Sequence, residues 1–136
     1  MAKRDSSRDM HTRIFRKLLK VIPDLLTIEG SAKSVVEGFM DLHFDILYCE
    51  PDRMFIALSH YYRHPSGDMV ADPDMEIAVY PEREMAEAIA YQDSLVYRRV
   101  YSDYETVVDV KAKRELNAFL NQWLTNLIQQ GHCIRA

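Results

Sequence analysis

Apolar and polar positions divide the chain into stretches of different period. Between residues 10 and 26, Met10, Ile14, Phe15, Leu18, Leu19, Ile22, Leu25 and Leu26 recur at three- or four-residue spacing, which places one continuous stripe on the same side of a helix. Pro23 lacks an amide donor and is expected to end or kink that helix. From about residue 40 the period falls to two: Met40, Leu42, Phe44, Ile46 and Tyr48 alternate with Asp41, His43 and Asp45, the signature of a strand with one buried and one wet face. Glu50-Pro51-Asp52-Arg53 reads as a turn, and Met54, Ile56 and Leu58 share one face of a second strand running to about Tyr62. Met75, Ile77 and Val79 mark a third strand, ending at Tyr80-Pro81. Residues 85–91 alternate large side chains with alanines, which predicts a fourth strand whose alanine row lets a helix approach closely, although Ala and Glu also favour a helix. Leu95 to Tyr101 predicts a fifth strand. A second helical stripe (Leu116, Phe119, Leu120, Trp123, Leu124, Leu127 and Ile128) fills residues 112–130, and Gly131 falls where a C-terminal cap belongs.

These elements predict an α+β fold: an antiparallel four- to five-stranded meander over residues 40–101, with the N-terminal helix (10–26) and the C-terminal helix (112–130) packed on one face. The 136 residues suit a single domain spanning 1–136, with 1–9 expected to be disordered. A chain that is 48% apolar and 28% charged is neither fibrous nor disordered as a whole. Cys49 and Cys133 match no disulfide framework and no CxxC motif, which points to a reducing cytoplasm. No apolar run follows the N-terminus and none is long enough to cross a bilayer, so neither secretion nor a membrane span is expected.

Charge is unevenly spread. Residues 1–20 carry seven basic side chains against Asp5 and Asp9, a balance of +5, so a net charge of -4 leaves -9 on the remainder. An acidic body repels phosphate, so nucleic acid is not expected as a partner, and only the N-terminal segment could serve that role. Arg13, Arg16, Lys17 and Lys20 fall away from the apolar stripe. They suit a helix that meets a membrane surface or an acidic partner, or the solvated side of a core-packed helix, and the broad stripe favours the latter.

Candidate chemistry gathers at three places. Asp41, His43 and Asp45 alternate along one strand face, where carboxylates would favour a protonated imidazole, but the roughly 7 Å between alternate residues defeats chelation without help. His60, Tyr61, Tyr62, His64, Asp68, Asp72 and Asp74 flank the hairpin between the second and third strands. Their spacing matches neither a zinc nor a calcium motif, and Pro65, Gly67, Asp68, Asp72 and Pro73 are also residues that turns select. Tyr91, Tyr97, Tyr101 and Tyr104 interleave with Arg98 and Arg99, a mixture found on sheets that stack bases, at protein interfaces and on plain sheet surfaces. No phosphate loop, zinc-protease or nucleophile-elbow motif occurs, so no catalytic residue, cofactor or metal is expected.

Asn117-Ala118-Phe119-Leu120-Asn121-Gln122-Trp123-Leu124 with Gly131, together with Asp74-Met75-Glu76-Ile77-Ala78-Val79-Tyr80 and Ala86-Glu87, resembles the YqiB-like proteobacterial family of small proteins of unknown function. The resemblance covers most of the chain and implies no activity. His60-Tyr61-Tyr62, Gly67-Asp68-Met69 and Asp72-Pro73-Asp74-Met75 also look like a stretch found in phage and plasmid proteins of unknown function.

The expectation is therefore a small cytoplasmic, non-enzymatic binding or adaptor protein. Its partners would be a second copy, through an interface including Tyr91, Tyr97 and Tyr101, and another protein. The alternative is an enzyme or small-ligand-binding domain with its site at His60, Tyr61, Tyr62, Asp68, Asp72 and Asp74. Single-stranded nucleic-acid binding ranks behind both.

Overall fold

The stripe near the N-terminus becomes helix α1, Ser6–Val21, in a computed structural model that describes residues 6–63, 65–102 and 106–135. Of the segment 1–9 expected to be disordered, residues 1–5 lie outside the described residues, and α1 begins at Ser6. Ile14, Phe15, Leu18 and Val21 are buried on its inner side. The helix stops before Pro23 instead of running to residue 26. The chain continues through turns in which the Ile28 amide donates to the Asp24 carbonyl at 2.7 Å. This change of period keeps Leu25 and Ile28 in the core but turns Leu26 outward, to 51% exposure.

Strands β1 (Ser31–Ser34), β2 (Leu42–Cys49), β3 (Met54–Arg63), β4 (Met69–Tyr80), β5 (Met85–Gln92) and β6 (Tyr97–Arg99) form one antiparallel sheet in chain order. The meander exceeds the four or five strands expected because β1, Ser-Ala-Lys-Ser, carries no apolar alternation from which a strand could be read. Strands β7 (Tyr101–Ser102) and β8 (Val107–Val108) make a separate two-stranded ribbon. Helix α2, Val110–Gln130, begins where the Asp109 carboxylate accepts the Ala112 amide at 2.9 Å. It ends on Gly131, whose left-handed φ of 93° lets its amide donate to the Ile128 carbonyl.

The register separates two faces. Phe44, Leu58, Met75 and Tyr91 pair in one cross-strand row, and Ile46, Ile56, Ile77 and Ala88 in another; both rows lie on the inner face beneath the helices. Ala86 and Ala88 are completely buried, and their small side chains let both helices close on β5. Beyond β6 the edge of β5 lacks a strand partner, and there Asn117 of α2 accepts the Ala88 amide at 2.8 Å while donating to the Lys113 carbonyl. A buried amide inside the helix thus takes the place of the missing ladder bond. The two helices lie side by side, with the Lys17 ammonium donating to Asn121 Oδ1 at 2.7 Å and to Thr125 Oγ1 at 2.8 Å.

The outer face carries other rows. Tyr48, Phe55, Ala78 and Glu87 form the first; Asp45, Ala57, Glu76, Ala90 and Arg99 the second; His43, Ser59, Asp74, Gln92 and Tyr97 the third. Phe55, Ala78 and Ile89 make a small secondary core on this side, under Tyr80 and Tyr101.

Candidate functional site

Strand alternation parts the hairpin residues. His60 faces inward: it is buried, its Nδ1 lies 2.8 Å from the Asp41 carbonyl, and its ring meets Trp123 edge-on at 5.4 Å. Tyr61, the next residue, lies against His43 at 5.2 Å, and Asp74 belongs to the same outer row as His43. Tyr62 is half-buried opposite Val70. Asp68 sits exposed in the turn with its carboxylate accepting from Ser66 Oγ at 3.4 Å, and Asp72 is exposed before a cis peptide to Pro73. The six side chains therefore do not converge: His60 is turned inward, Tyr61 and Asp74 lie on the outer face, and Asp68 and Asp72 meet solvent. His64 lies outside the described residues. Two open depressions, of about 400 and 260 Å³, flank β1, and none of the six lines either.

The tyrosines are also separated. Tyr91 pairs with Arg98, and Tyr97 with Gln92, so the two rings project to opposite sides of the sheet. The Tyr91 ring packs against Phe119 at 5.3 Å and its hydroxyl donates to Asp93 at 2.7 Å. Burial first, then Asp93, pushes that hydroxyl up to about 12. Tyr97 is 59% exposed on the outer face. Tyr101 turns its hydroxyl to Glu87 at 2.9 Å. Tyr104 lies outside the described residues. Arg98 and Arg99 are matched to carboxylates, Glu115 at 3.1 Å and Glu76 at 3.6 Å, which removes the free cations a base-stacking sheet would need.

Two polar nodes escaped the sequence reading. Glu87 is buried; its Oε1 accepts from the Tyr101 and Tyr80 hydroxyls at 2.9 and 3.3 Å, while Oε2 faces His11 Nε2 at 3.9 Å and Lys113 Nζ at 4.0 Å. Burial and then the Glu87 charge raise the Tyr80 hydroxyl. Five elements meet at this one carboxylate, α1, β4, β5, β7 and α2, which makes it a clamp between elements. Its signal in the sequence was a lone carboxylate among Ala86, Ala88 and Ala90. The second node is His132, 3% exposed, with Nδ1 2.9 Å from Ser34 Oγ, which also accepts the Cys133 amide at 3.2 Å. Burial, then His60 with its ring 6.0 Å away, lowers the His132 pKa; the Met40 carbonyl and Asp41 act more weakly in the opposite direction. Nothing around Gly131-His132-Cys133 marked that pairing in advance. Tyr91, Phe119, Trp123, His60 and His132 consequently form a row of touching rings between α2 and the sheet. Among the described residues no three side chains could jointly hold a metal ion.

The result is an α+β protein whose antiparallel meander is covered on one face by both helices, while the other face carries only a small cluster under Tyr80 and Tyr101. Within that class, the chain belongs to the family described as a domain of unknown function, DUF6908, which matches residues 13–133, from α1 to the segment after α2. The match does not extend to the finer YqiB-like assignment. No curated protein and no solved structure matches the chain. No helix among the described residues is long and apolar enough to cross a membrane.

Proposed function

We propose that this is a non-catalytic binding or adaptor protein of the bacterial cytoplasm that self-associates through the outer face of its sheet. The observation that carries the reading is the contrast in cover: both helices lie on the inner face, while Tyr48 (51% exposed, stacked on Phe55 at 4.3 Å) and Tyr97 remain open on the other. Arg53 beside Glu50 and Arg99 beside Glu76 hold ion pairs near these rings, which supplies charges of both signs for a second copy to meet. Of the three tyrosines expected at the interface, Tyr97 is the accessible one, since Tyr91 and Tyr101 hold their hydroxyls against Asp93 and Glu87. Two exposed thiols, Cys49 and Cys133, suit a reducing compartment. A kinship with the YqiB-like proteobacterial proteins belongs to the same proposal.

Sedimentation equilibrium at micromolar concentration tests it. A dimer is expected, and the double substitution Tyr48→Ala/Tyr97→Ala should shift it to monomer while leaving the fold intact. A wild-type monomer across that range would remove the self-association reading.

A further inference from the structure

The helical layer carries a separation of charge that the open sheet face does not. Residues 10–22 and 116–130, which build most of both helices, contain no Asp or Glu, so the excess acid of the molecule lies elsewhere. On α1, Arg13, Arg16, Lys17 and Lys20 occupy consecutive turns of one side, opposite the buried stripe of Ile14, Phe15, Leu18 and Val21. A rise of about 1.5 Å per residue spreads them over roughly 10 Å of helix. Lys17 is half-buried and held by Asn121 and Thr125, and its pKa is lowered by burial and then by Arg13 and Lys20, a sign of how closely the cations share this side. Arg13, Arg16 and Lys20 are exposed and make no ion pair among the described residues. Beside them α2 presents the uncharged amides Gln122, Asn126 and Gln129 to solvent.

That combination selects among polyanions. A bilayer surface would need an apolar side to insert, and the apolar side of α1 is committed to the core. A protein interface centres on exposed apolar anchors, and the aromatic side chains of the two helices are turned elsewhere: Phe15 into the core, Phe119 and Trp123 towards Tyr91 and His60. Phe119, 39% exposed, already packs edge-on against Tyr91 and lies away from the cationic side of α1, so that side offers no ring for the base stacking by which single strands bind. A row of unpaired cations flanked by carboxamides is the side-chain set that contacts phosphate and sugar on a duplex.

We propose that the solvent side of α1, through Arg13, Arg16 and Lys20 with the neighbouring α2 amides, docks on the phosphodiester backbone of duplex nucleic acid without reading its bases. This surface is distinct from the outer sheet face, so the two proposals stand or fall separately. The measurement is fluorescence anisotropy of a labelled random-sequence 20-base-pair DNA duplex, titrated with the full chain from about 50 to 200 mM salt. Neutralising three phosphates gives an expected slope of log affinity against log salt of about -3. Arg13→Ala/Arg16→Ala/Lys20→Ala should weaken binding at 50 mM salt by at least about tenfold and flatten the slope, with an unchanged melting temperature showing that the fold survives. Lys33→Ala/Arg83→Ala, exposed cations on β1 and in the turn between β4 and β5, should stay within about twofold of wild type, and duplex RNA should bind comparably to DNA. No duplex binding at 50 mM salt would overturn the proposal, as would full binding by the triple variant. So would a preference for the single strand, or binding of phosphatidylserine vesicles or polyglutamate in place of the duplex.

Discussion

The two faces of the sheet are made from the same strands yet bear different loads. On the inner face, Phe44, Leu58, Met75 and Ile77 are fully buried under α1 and α2, and even polar groups such as Asn117 and His60 are given fixed partners. The outer face holds a smaller core, the cluster of Phe55, Ala78 and Ile89 beside the buried Glu87 carboxylate, and otherwise carries rings, ion pairs and alanines. Stability is thus concentrated on one side of the sheet, which leaves the other free to vary its chemistry. A surface meant for contact is built on strands that are already held from behind.

The widest contrast should come from one aromatic residue on each side. Trp123→Ala, on the buried side of α2, should cost about 3 to 5 kcal/mol, whereas Tyr97→Ala on the outer face should stay within about 0.5 kcal/mol. Urea denaturation of both variants measures it, and comparable losses would erase the distinction between the faces. A smaller effect is expected from Asn117→Ala, which strands the Ala88 amide at the β5 edge; about 1 to 3 kcal/mol should be lost. Hydrogen exchange at Ala88 would then rise well beyond that of its neighbours, and unchanged protection would show that Asn117 is not the edge partner.

The smallest effect is set by pH. The native His132 pKa lies below its ordinary value near 6.5, so the unfolded chain takes up a proton that the folded one resists. The contribution of this residue is fully present above about pH 6.5 and is lost as pH falls towards the lowered native value. His132→Asn can keep a bond to Ser34 without titrating, and should show a shallower loss of stability between about pH 7 and 5 than wild type. An equal or steeper loss would mean that another group governs the acid limb.

What could be read from the sequence followed from local period. The β2 and β3 alternation survives as buried Leu42, Phe44, Ile56 and Leu58, and residues 85–91 are indeed a strand whose alanines admit the helices. Gly131 caps α2 as its position implied. β1 is illegible because its four residues carry no pattern; α1 ends ahead of Pro23, as the missing amide donor implies, and not at residue 26 as the stripe alone suggests, because a turn can keep Leu25 buried without helix. The candidate site was less legible still. His60 stood out, but its partners Trp123, His132 and Asp41 come from three other parts of the chain, and Ser34 and His132 meet across 98 residues. Such meetings are a property of topology, which no local spacing encodes.

The side-by-side seating of α1 and α2 has a consequence for synthesis. Lys17 and Asn121 are 104 residues apart, and the Ile134 amide closes on the Val21 carbonyl. While the chain emerges from the ribosome, all six strands are complete before the second covering helix exists, so the apolar rows of Phe44, Ile56 and Ile77 wait half-clad until residue 134 is out. The nascent protein therefore passes through a stage when its greasiest surface is bare, and it should depend on chaperones, or on rapid elongation through the codons of α2, during that stage.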